Sequence, residues 1–509
     1  MAEPSSQNVA VIASEAVPFA KTGGLADVAG ALPRALEHLG HSASLFLPYY
    51  RVARHGALPI SATGLRLRIP IGTRMVDGTV YTTVLPGSEV RVYLIDGADY
   101  FDRPQLYGED GADYTDNCER FVFFGRAVLE TIRILGLRFD VLHCNDWQTG
   151  LIPVYLEEHY RRRPEFASVG TLLTVHNLAY QGSFWHWDMP LTGLDWRLFN
   201  WRQLEFHGRL NFLKAGLVYA DLLNTVSPTY AREIQTPALG RGLDGLLRSR
   251  QQDLHGIVNG IDLSVWSPSL EPMLAARYDA STVDEGKAAC KAQLQRLTKL
   301  PERPDVPILA QIGRLDPQKG WDLLAEVADD LLRGDVQMVV LGEGHARYQT
   351  LLRKLADAHP SKLRVFLEFS SPLAHQIEAG ADIFLMPSLY EPCGLNQLYS
   401  LVHGTVPVVR ATGGLADTVV DATAKNIEDG TATGFAFQEP TPAALRGAID
   451  RALTLWPQRG LWKAIVQEGM RGDWSWEHSA REYVRLYHEV GRRNEARRVD
   501  RRSSRGIGI

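Results

Sequence analysis

Residues 9–39 read VAVIASEAVPFAKTGGLADVAGALPRALEHL, an apolar run, a glycine turn and a helical stretch in close succession. The apolar run covers residues 9–14, and its length and lack of charge are typical of a buried strand in a parallel sheet. The helical stretch covers residues 28–39 and follows the turn that contains Gly23 and Gly24. This order predicts a strand-turn-helix unit of an α/β fold.

The same pattern recurs along the chain in two series. Short apolar runs that end in Gly, Asn, Asp or Ser lie at residues 44–47, 90–95, 141–144, 171–175 and 222–226, and then at 308–312, 336–341, 363–367, 383–386 and 406–409. Helical stretches lie between them, among others at 119–135, 321–332 and 442–455. The alternation predicts two doubly wound parallel sheets, each covered by helices on both faces.

The join between the two predicted domains falls near residues 256–262, because GIVNGID combines turn formers with few helix signals. We therefore expect an N-terminal domain over residues 1–256 and a C-terminal domain over residues 257–480. Residues 481–509 are predicted to form a helix that returns to the N-terminal domain, followed by a basic, disordered tail. Seven arginines within residues 491–509 make that tail basic.

One short stretch occurs twice. TGGLAD at residues 22–27 is repeated, residue for residue, at residues 412–417, and each copy opens a predicted helix. The repeat indicates equivalent positions in two similar domains, although six residues can also coincide through convergent turn chemistry.

Composition and charge narrow the class of protein. The 509 residues carry a formal net charge of -5, so the chain as a whole has no basic field to hold nucleic acid. Four scattered cysteines indicate neither a disulfide framework nor a thiolate zinc site. The start of the chain lacks a signal-peptide pattern, and no run of about 18 apolar residues occurs. We expect a cytoplasmic enzyme without nucleic-acid or membrane partners, and no pattern indicates a particular oligomeric state.

Two basic loops could hold an anion. Backbone amides at Gly23 and Gly24, the N-terminus of the following helix and the Lys21 ammonium form a candidate diphosphate cradle. In the second series, Arg314 and Lys319 follow a strand, at the edge where open α/β sheets bind ligands. The alternatives are an ordinary strand-to-helix turn and two surface charges. Neither the G-x-G-x-x-G fingerprint nor the Walker loop matches the first turn.

Three further strand ends present groups that could do chemistry. Glu391 lies in the loop PSLYEPCGLNQ, where its carboxylate could orient sugar hydroxyls or stabilise a developing positive charge, or could simply cap a helix. HCNDW presents Asp146, and TVHN presents His176, each after a predicted strand. A single strand-end histidine is more often structural, and we expect this of His143.

Seven motifs in order form one resemblance. KTGGLADV, HCNDW, TVHNLAYQG, TVSPTYA, GIVNGID, GRLDPQKG and EPCGL resemble, in sequence and spacing, the bacterial glycogen synthases and plant starch synthases. The match extends over about residues 8 to 490. It implies the GT-B architecture, two Rossmann-like domains facing a central cleft. It also implies glucose transfer from ADP-glucose to the non-reducing 4-hydroxyl end of an α-1,4-glucan, with retention of configuration and with neither metal nor cofactor.

The resemblance also implies site residues. The catalytic set is Glu391, His176, Lys319 and Arg314, with Arg314 and Lys319 on the diphosphate and Glu391 on the sugar hydroxyls. His176 and Asn259 are implied to contact the glucosyl group, and Asp146 to lie on the acceptor side. The substrate-binding set is Lys21, Gly23, Gly24, Asp27, Glu15, Asp146, Asn259, Cys393, Gly394 and Leu395. Since no pair of glycosidase-like carboxylates is evident, a front-face displacement fits, in which the leaving phosphate helps to deprotonate the acceptor.

Two positions depart from patterns known in relatives. Many other retaining GT-B transferases have a second glutamate at the position of Tyr399. The absence of that glutamate matches the glycogen synthase branch. Phe101 stands where some glycogen synthases have a tyrosine thought to touch the donor base, which leaves adenine recognition open. The alternative functions are a UDP-glucose-dependent relative, a Rossmann oxidoreductase and a catalytically inactive glucan-binding homologue.

Overall fold

The computed structural model describes residues 6–109 and 111–505, with side chains up to residue 495. The chain divides into two compact units. The first unit contains the chain up to Val226, Ala231–Gly260 and the chain from Trp476 onward. The second unit contains Ser227–Tyr230 and Ile261–Ser475.

A nine-stranded sheet forms the centre of the first unit. The unit's strands are β1 (Asn8–Ile12), β2 (Ser42–Pro48), β3 (Ser61–Ile71), β4 (Arg74–Val84), β5 (Arg91–Asp96), β6 (Gly108–Glu109), β7 (Ala112–Asp113), β8 (Val141–Asn145), β9 (Gly170–Val175), β10 (Ser183–Phe184), β11 (Glu205–Phe206), β12 (Arg209–Asn211), β13 (Leu222–Thr225) and β14 (Leu254–Gly256). The sheet order is β14-β13-β9-β8-β1-β2-β5-β4-β3. Its seven parallel strands therefore follow the Rossmann order, extended by one strand.

Helices cover both faces of this sheet. The helices of this unit are α1 (Gly24–His38), α2 (Arg51–Arg54), α3 (Ala98–Phe101), α4 (Asn117–Ile134), α5 (Ile152–Tyr155), α6 (Met189–Thr192), α7 (Phe212–Tyr219), α8 (Pro228–Glu233, which begins in the second unit), α9 (Asp244–Ser249) and, at the end of the chain, α19 (Trp476–Arg505). Strand β1 is buried on both faces, since Val9, Ala10, Val11 and Ile12 are at most 1% exposed. A strand covered on both sides reads as an unbroken apolar run, which is why the sequence pattern identified it.

The second unit has a six-stranded parallel sheet. Its strands are β15 (Ile308–Ile312), β16 (Gln337–Leu341), β17 (Leu363–Phe366), β18 (Ile383–Met386), β19 (Val406–Arg410) and β20 (Phe435–Phe437), in the order β17-β16-β15-β18-β19-β20. Its helices are α10 (Val283–Thr298), α11 (Trp321–Arg333), α12 (Ala346–Ala358), α13 (Ser371–Gly380), α14 (Asn396–Val402), α15 (Gly413–Thr418), α16 (Ala424–Glu428), α17 (Pro442–Leu455) and α18 (Arg459–Arg471). Helix α11 buries Trp321, Leu324, Ala328 and Leu331, one stripe at helical spacing against the sheet.

Each strand predicted from the sequence is present, with ends within two residues of the prediction. The predicted first sheet lacked strands β3 and β4. These two strands pair antiparallel with each other, and β4 also pairs antiparallel with β5. The sequence pattern missed them for a physical reason. Alternate residues of β3, such as Leu67 and Ile69, are buried while their neighbours face solvent, so the strand lacks the continuous apolar run of a parallel interior.

The repeated TGGLAD stretch does not mark equivalent positions. Its first copy follows β1, the first strand of the first unit, and its second copy follows β19, the fifth strand of the second unit. The true counterpart of β1 is β15, which is followed by the loop at 313–320. The repeat therefore reflects convergent turn chemistry: each glycine pair opens a helix, α1 or α15.

The unit boundaries differ from the predicted ones by a few residues. The first unit extends to Gly260 rather than residue 256, because Ile257 packs in its core. Its return begins at Trp476 rather than residue 481, since Trp476 and Ala480 are also in that core. The backbone amide of Ile261 instead donates to the Trp474 carbonyl within the second unit.

Helix α19 corrects the prediction of a disordered tail. The helix continues to Arg505, so residues 491–505 are helical, while residues 506–509 of the predicted tail lie outside the described residues. Arg493 supports the helix through an ion pair with Glu489, four residues before it, and also contacts Asp253. A charged sequence without Pro can remain helical where such pairs form.

Candidate active site

Three neighbouring strands of the first unit end at the residues predicted to act there. Strands β9, β8 and β1 lie side by side and run parallel, so their carboxyl ends share one edge of the sheet. The chain then continues to His176 after β9, to Asp146 after β8 and to Glu15 after β1. Ligands of open α/β sheets bind at this edge. We call these residues, together with the turn at 21–27, the first-unit cluster.

Glu15 holds the glycine turn from below. Its carboxylate accepts hydrogen bonds from the Thr22 amide, from Thr22 Oγ1 at 3.0 Å and from the Gly23 amide at 3.3 Å. Burial raises the pKa of Glu15, and these hydrogen bonds oppose that rise. The Gly23 amide, predicted to face a diphosphate, thus donates to Glu15, while Gly24 is the first residue of α1.

Lys21 is paired within the turn itself. Its Nζ lies 2.7 Å from Asp27 Oδ1, and the Lys21 side chain is 48% exposed. Burial raises the pKa of Asp27 and the lysine charge lowers it. An anion that binds Lys21 must therefore compete with Asp27 for the ammonium group.

Asp146 is the most perturbed carboxyl group of the first-unit cluster. Its backbone has a φ of 56°, a region that non-glycine residues rarely occupy and that clusters at functional sites. Burial raises the pKa of Asp146 to about 7, against the opposing hydrogen bonds from the backbone amides of His176 and Asn177. The His176 amide donates to Asp146 Oδ1 at 2.7 Å. Near neutral pH this group can therefore both hold and release a proton.

His176 is a neutral imidazole. Its Nε2 lies 2.9 Å from Asn145 Oδ1, an oxygen that only accepts, so Nε2 carries the proton. Burial lowers the pKa of His176 to about 3. His176 therefore acts through hydrogen bonds rather than through positive charge.

Three other positions of the first unit are buried. His143 is fully buried between Tyr487 and Thr174 and is structural, as expected. Phe101 has no exposed surface and packs among aromatic rings, so it does not offer a ring to a nucleotide base. Asn259 is 5% exposed, and its Oδ1 is buried with no partner among the described side chains.

In the second unit, an ion pair joins the ends of two neighbouring strands. Lys319 lies beyond β15 and Glu391 beyond β18, and Lys319 Nζ donates to Glu391 Oε2 at 2.6 Å. Ser388 Oγ donates to the same oxygen at 2.9 Å. The two charged side chains are 22% and 7% exposed. The structure thus brings together two residues that the sequence placed 72 positions apart.

Close backbone contacts hold these two loops against each other. At Gly320, where φ is 72°, a Cβ atom would lie 2.0 Å from the Pro387 carbonyl oxygen. The Leu389 amide donates to the Gln318 carbonyl at 2.8 Å, and Gln318 Nε2 donates to the Tyr390 carbonyl at 3.1 Å. Only glycine fits at residue 320, and this close approach sets the spacing of Lys319 and Glu391.

Arg314 follows the same strand as Lys319 and is 58% exposed, with its Nη2 3.4 Å from Asp316 Oδ2. The loop after Glu391 contains the remaining predicted residues: Cys393 is 6% exposed, Gly394 has a φ of 73°, and Leu395 immediately precedes α14. We call these residues, with Lys319, Ser388 and Glu391, the second-unit cluster.

The second glycine pair belongs to this cluster by packing. A Cβ atom added at Gly413 would lie 1.9 Å from the Glu391 carbonyl oxygen. A Cβ atom added at Gly414 would lie 2.0 Å from the Cys393 carbonyl oxygen. The Gly414 amide donates to the Glu391 carbonyl at 3.2 Å. These glycines therefore fix the backbone that carries Glu391.

Sequence reasoning missed two residues at this edge. Ser388 lay within the quoted loop, but a serine there carried no distinguishing signal. Phe369 follows β17 and is 82% exposed, an aromatic ring open to solvent at the ligand-binding edge. An apolar residue in the loop after a predicted strand was the available signal.

Neither a metal cluster nor a membrane-spanning helix occurs in the part of the chain that the structure describes. Residues 6–109 and 111–505 contain no group of three or more His, Cys, Asp or Glu side chains placed to hold an ion. Over the same residues, no helix is both long and apolar enough to cross a bilayer.

Comparison with known proteins gives matches over nearly the whole chain. The description "Starch synthase catalytic domain" matches residues 8–249, and "Glycosyl transferases group 1" matches residues 295–467. Glycogen synthase from Syntrophotalea carbinolica is 46% identical over 483 residues, covering 95% of this chain and 99% of that protein. Glycogen synthase from Anaeromyxobacter dehalogenans strain 2CP-1 is 49% identical over 480 residues, covering 94% and 98%.

Solved structures agree with these matches. The catalytic domain of starch synthase IV from Arabidopsis thaliana, bound to ADP and acarbose, has a TM-score of 0.88 at 31% identity and covers 96% of this chain and 100% of its own. Sucrose-phosphate synthase from Thermosynechococcus elongatus shares the fold, with a TM-score of 0.60 at 18% identity over 95% and 99% of the two chains. From its chain-long identity and its two Rossmann-ordered sheets, the chain belongs to the bacterial glycogen synthase and plant starch synthase family of GT-B glycosyltransferases.

Proposed function

We propose that the chain transfers glucose from ADP-glucose to the non-reducing 4-hydroxyl end of an α-1,4-glucan, with retention of configuration. The observation that carries the proposal is the Lys319–Glu391 pair at the strand ends of the second unit, with Arg314 in the same loop. The family supports it through glycogen synthases, and the starch synthase IV structure was solved with ADP and acarbose.

The proposed reaction separates a sugar that becomes positively charged from a diphosphate that becomes negatively charged. Arg314 and Lys319 would stabilise the departing diphosphate, Arg314 by gripping two oxygens and Lys319 as a compact charge. In this proposal these side chains neutralise the leaving group, and no metal or cofactor takes part. The partly buried position of Lys319 strengthens its interaction, because less water screens it there.

Glu391 would serve the sugar. Lys319 and Ser388 both donate to Oε2, and this orients the carboxylate so that Oε1 can accept hydrogen bonds from sugar hydroxyls. Bound diphosphate would draw Lys319 away from Glu391 and leave the charge of the carboxylate less neutralised. A carboxylate whose charge is not neutralised by Lys319 favours the oxocarbenium-like sugar of the transition state.

Phe369 supports recognition of a flat base. The ring is 82% exposed beyond β17, and an exposed aromatic face gains stability when a planar ring stacks on it. We assign Phe369, rather than the buried Phe101, to the adenine of the donor.

Within the first-unit cluster, Asp146 would serve the acceptor. Asp146, whose pKa burial raises to about 7, can accept a hydrogen bond from a glucan hydroxyl. Beyond His176 the same segment exposes Trp185, Trp187 and Trp196 by 58%, 59% and 44%. Neighbouring rings of this trio lie 6.5 Å and 5.8 Å apart, and we call the three residues the Trp patch. Contiguous exposed aromatic surface of this kind marks a binding site, here for a glucan chain.

We place the enzyme in the cytoplasm. All four cysteines, Cys118, Cys144, Cys290 and Cys393, are free and buried, which suits a reducing compartment.

Initial rates with ADP-glucose and UDP-glucose on a glycogen primer test the proposal. We expect glucosyl transfer with ADP-glucose to exceed that with UDP-glucose. A preference for UDP-glucose would favour the alternative donor, and glycogen binding without ADP release would favour an inactive homologue.

Lys319→Ala tests the assignment of the diphosphate. We expect ADP affinity to fall at least about tenfold by calorimetry, the equivalent of about 1.4 kcal/mol for one lost charge contact. The control is Lys362→Ala, a half-buried lysine of the second unit whose Nζ donates to backbone carbonyls. Unchanged affinity in Lys319→Ala would mean that the diphosphate binds elsewhere.

A further inference from the structure

A buried carboxylate in the second unit lies between two histidines. Glu271 Oε2 lies 2.8 Å from His375 Nδ1, and Glu271 Oε1 lies 2.9 Å from His403 Nε2. The three side chains are at most 5% exposed. None of these residues belongs to the second-unit cluster, and the mechanism proposed above does not use them.

The hydrogen bonds of His403 define its charge. Its Nδ1 lies 2.8 Å from the Tyr399 carbonyl oxygen, which can only accept. Its Nε2 faces Glu271, whose pKa the two histidines lower to about 2 against the effect of burial, so that the carboxylate is ionised. Both ring nitrogens therefore donate, and His403 is an imidazolium matched by Glu271.

Aromatic stacking extends this cluster to α14. The Trp266 ring stacks on His375 at 3.8 Å between centroids and, on its other face, on Tyr399 at 3.8 Å. The interplanar angles are 7° and 11°. Tyr399 stands where many retaining GT-B transferases have a second glutamate. Its ring thus joins α14 to Trp266, in the segment at 262–271, by stacking.

The neighbouring titratable groups Tyr278, Lys287 and Glu378 form hydrogen bonds with groups other than the Glu271 carboxylate and the His403 ring. Tyr278 Oη and Lys287 Nζ donate to the His403 carbonyl at 2.8 Å and 3.3 Å. Lys287 also donates to Thr405 Oγ1 at 2.6 Å, and Glu378 Oε2 accepts from Ser400 Oγ at 2.7 Å. Burial raises the pKa of Glu378 to about 8, so at neutral pH this second carboxyl group is protonated.

Helix α14 joins this cluster to the candidate active site. At its start, Asn396 Nδ2 donates to the Ile312 carbonyl at 2.8 Å, at the end of β15. Gln397 Nε2 donates to the Cys393 and Gly394 carbonyls at 3.0 Å and 3.1 Å, within the Glu391 loop. The end of the helix is held by Glu271 through His403. The first turn therefore touches both active-site loops, and the last turn is anchored by the buried charges.

We propose that Glu271 and His403 are positioning residues that hold α14, and through it the loop of Glu391, in the geometry that glucosyl transfer requires. The inference rests on the proposed function. Because a small displacement of a positioned group costs rate more than ground-state binding, the effect belongs mainly to kcat.

Glu271→Gln is the first test. The amide keeps the shape but removes the negative charge that matches His403, so the imidazolium either stays unmatched in a buried site or loses a proton, and the anchor of α14 weakens. We expect kcat to fall at least about tenfold, with ADP binding to Arg314 and Lys319 retained at wild-type stoichiometry by calorimetry. That stoichiometry excludes unfolding as the cause. The matched control is Glu378→Gln at pH 7, which replaces a neutral buried carboxyl group and should keep the wild-type kcat.

A rescue experiment separates positioning from general damage. Glu271→Gln with His403→Gln removes both charges, so we expect at least about threefold recovery of kcat over Glu271→Gln alone. A double variant no faster than the single one, a wild-type kcat in Glu271→Gln, or an equal loss in Glu378→Gln would overturn the inference.

The protonation state can be measured without any variant of Glu271. In protein labelled with ¹⁵N at histidine, we expect an imidazolium signal that disappears in His403→Gln. A neutral His403 would contradict the inference even if every variant folded poorly. Absence of glucosyl transfer by the wild type would overturn the proposed function itself, whereas the histidine signal would still report the buried pair.

Discussion

Replacing Asp146 by asparagine should make the protein more stable and less active. The carboxyl group titrates at 3.8 when unperturbed, and burial raises its pKa to about 7. Between these values the folded state binds a proton that the unfolded state has lost, so wild-type stability falls as pH rises. Asparagine cannot ionise, and its side-chain oxygen can still accept the His176 amide.

The magnitude follows from the pKa difference. At about 1.36 kcal/mol per pKa unit, the full effect is about 4 kcal/mol. Asp146 is partly exposed, and solvent screening reduces the measurable part to about 2 kcal/mol. For a unit of this size, that corresponds to a Tm increase of roughly 4–8 °C at pH 8. The difference should be small at pH 4, grow up to about pH 7 and then remain constant.

Differential scanning calorimetry of wild type and Asp146→Asn at pH 4.5, 6 and 8 measures this. In parallel, glucosyl transfer by the variant at pH 8 should fall at least about tenfold, because an acceptor hydroxyl loses a charged partner. The control is Asp102→Asn, since a hydrogen bond from Arg51 lowers the pKa of Asp102. Its Tm difference should not increase between pH 5 and pH 8. A Tm difference for Asp146→Asn that is equal at all three pH values would refute the reasoning.

Two further predictions concern packing and the acceptor. Gly414→Ala places a Cβ 2.0 Å from the Cys393 carbonyl, so we expect a loss of about 1–3 kcal/mol in stability and a lower kcat, measured by calorimetry and ADP release. Gly447→Ala in α17, where a Cβ meets nothing within 4 Å, should instead stabilise by about 0.4–1 kcal/mol; equal losses in both would contradict the packing argument. Trp187→Ala combined with Trp196→Ala removes two of the three rings of the Trp patch. This double variant should raise the KM for glycogen about tenfold while leaving the KM for a short maltooligosaccharide unchanged, if each indole covers a few tens of Å² of sugar. The control is Trp201→Ala, because Trp201 is 72% exposed but lies outside the patch. A wild-type KM for glycogen in the double variant would contradict the assignment of the Trp patch to the glucan.

Much of the candidate site could be predicted because strand ends are readable in sequence. Buried parallel strands are short apolar runs, and the residues that follow them must lie at one edge of the sheet. Asp146, His176, Lys319 and Glu391 were located in this way, whereas Glu15 was named only through the resemblance to the family. The partners of these residues were not readable, since they come from segments distant in sequence. Glu15 accepts a hydrogen bond from the Gly23 amide, and Ser388 and Lys319 donate to one oxygen of Glu391. These contacts depend on the tertiary packing of the loops.

The sequence by itself determined the two α/β units, the order of the strand-end motifs and the family, because hydrophobic periodicity and turn chemistry are local properties of the chain. Only the tertiary structure decided which charges are matched and which groups are buried. It put Phe101 inside and Phe369 outside, and it raised the pKa of Asp146 to about 7. It also placed Glu271 between two histidines that follow it by 104 and 132 residues. Burial and charge pairing are sums over neighbours in space, and those neighbours are chosen by packing.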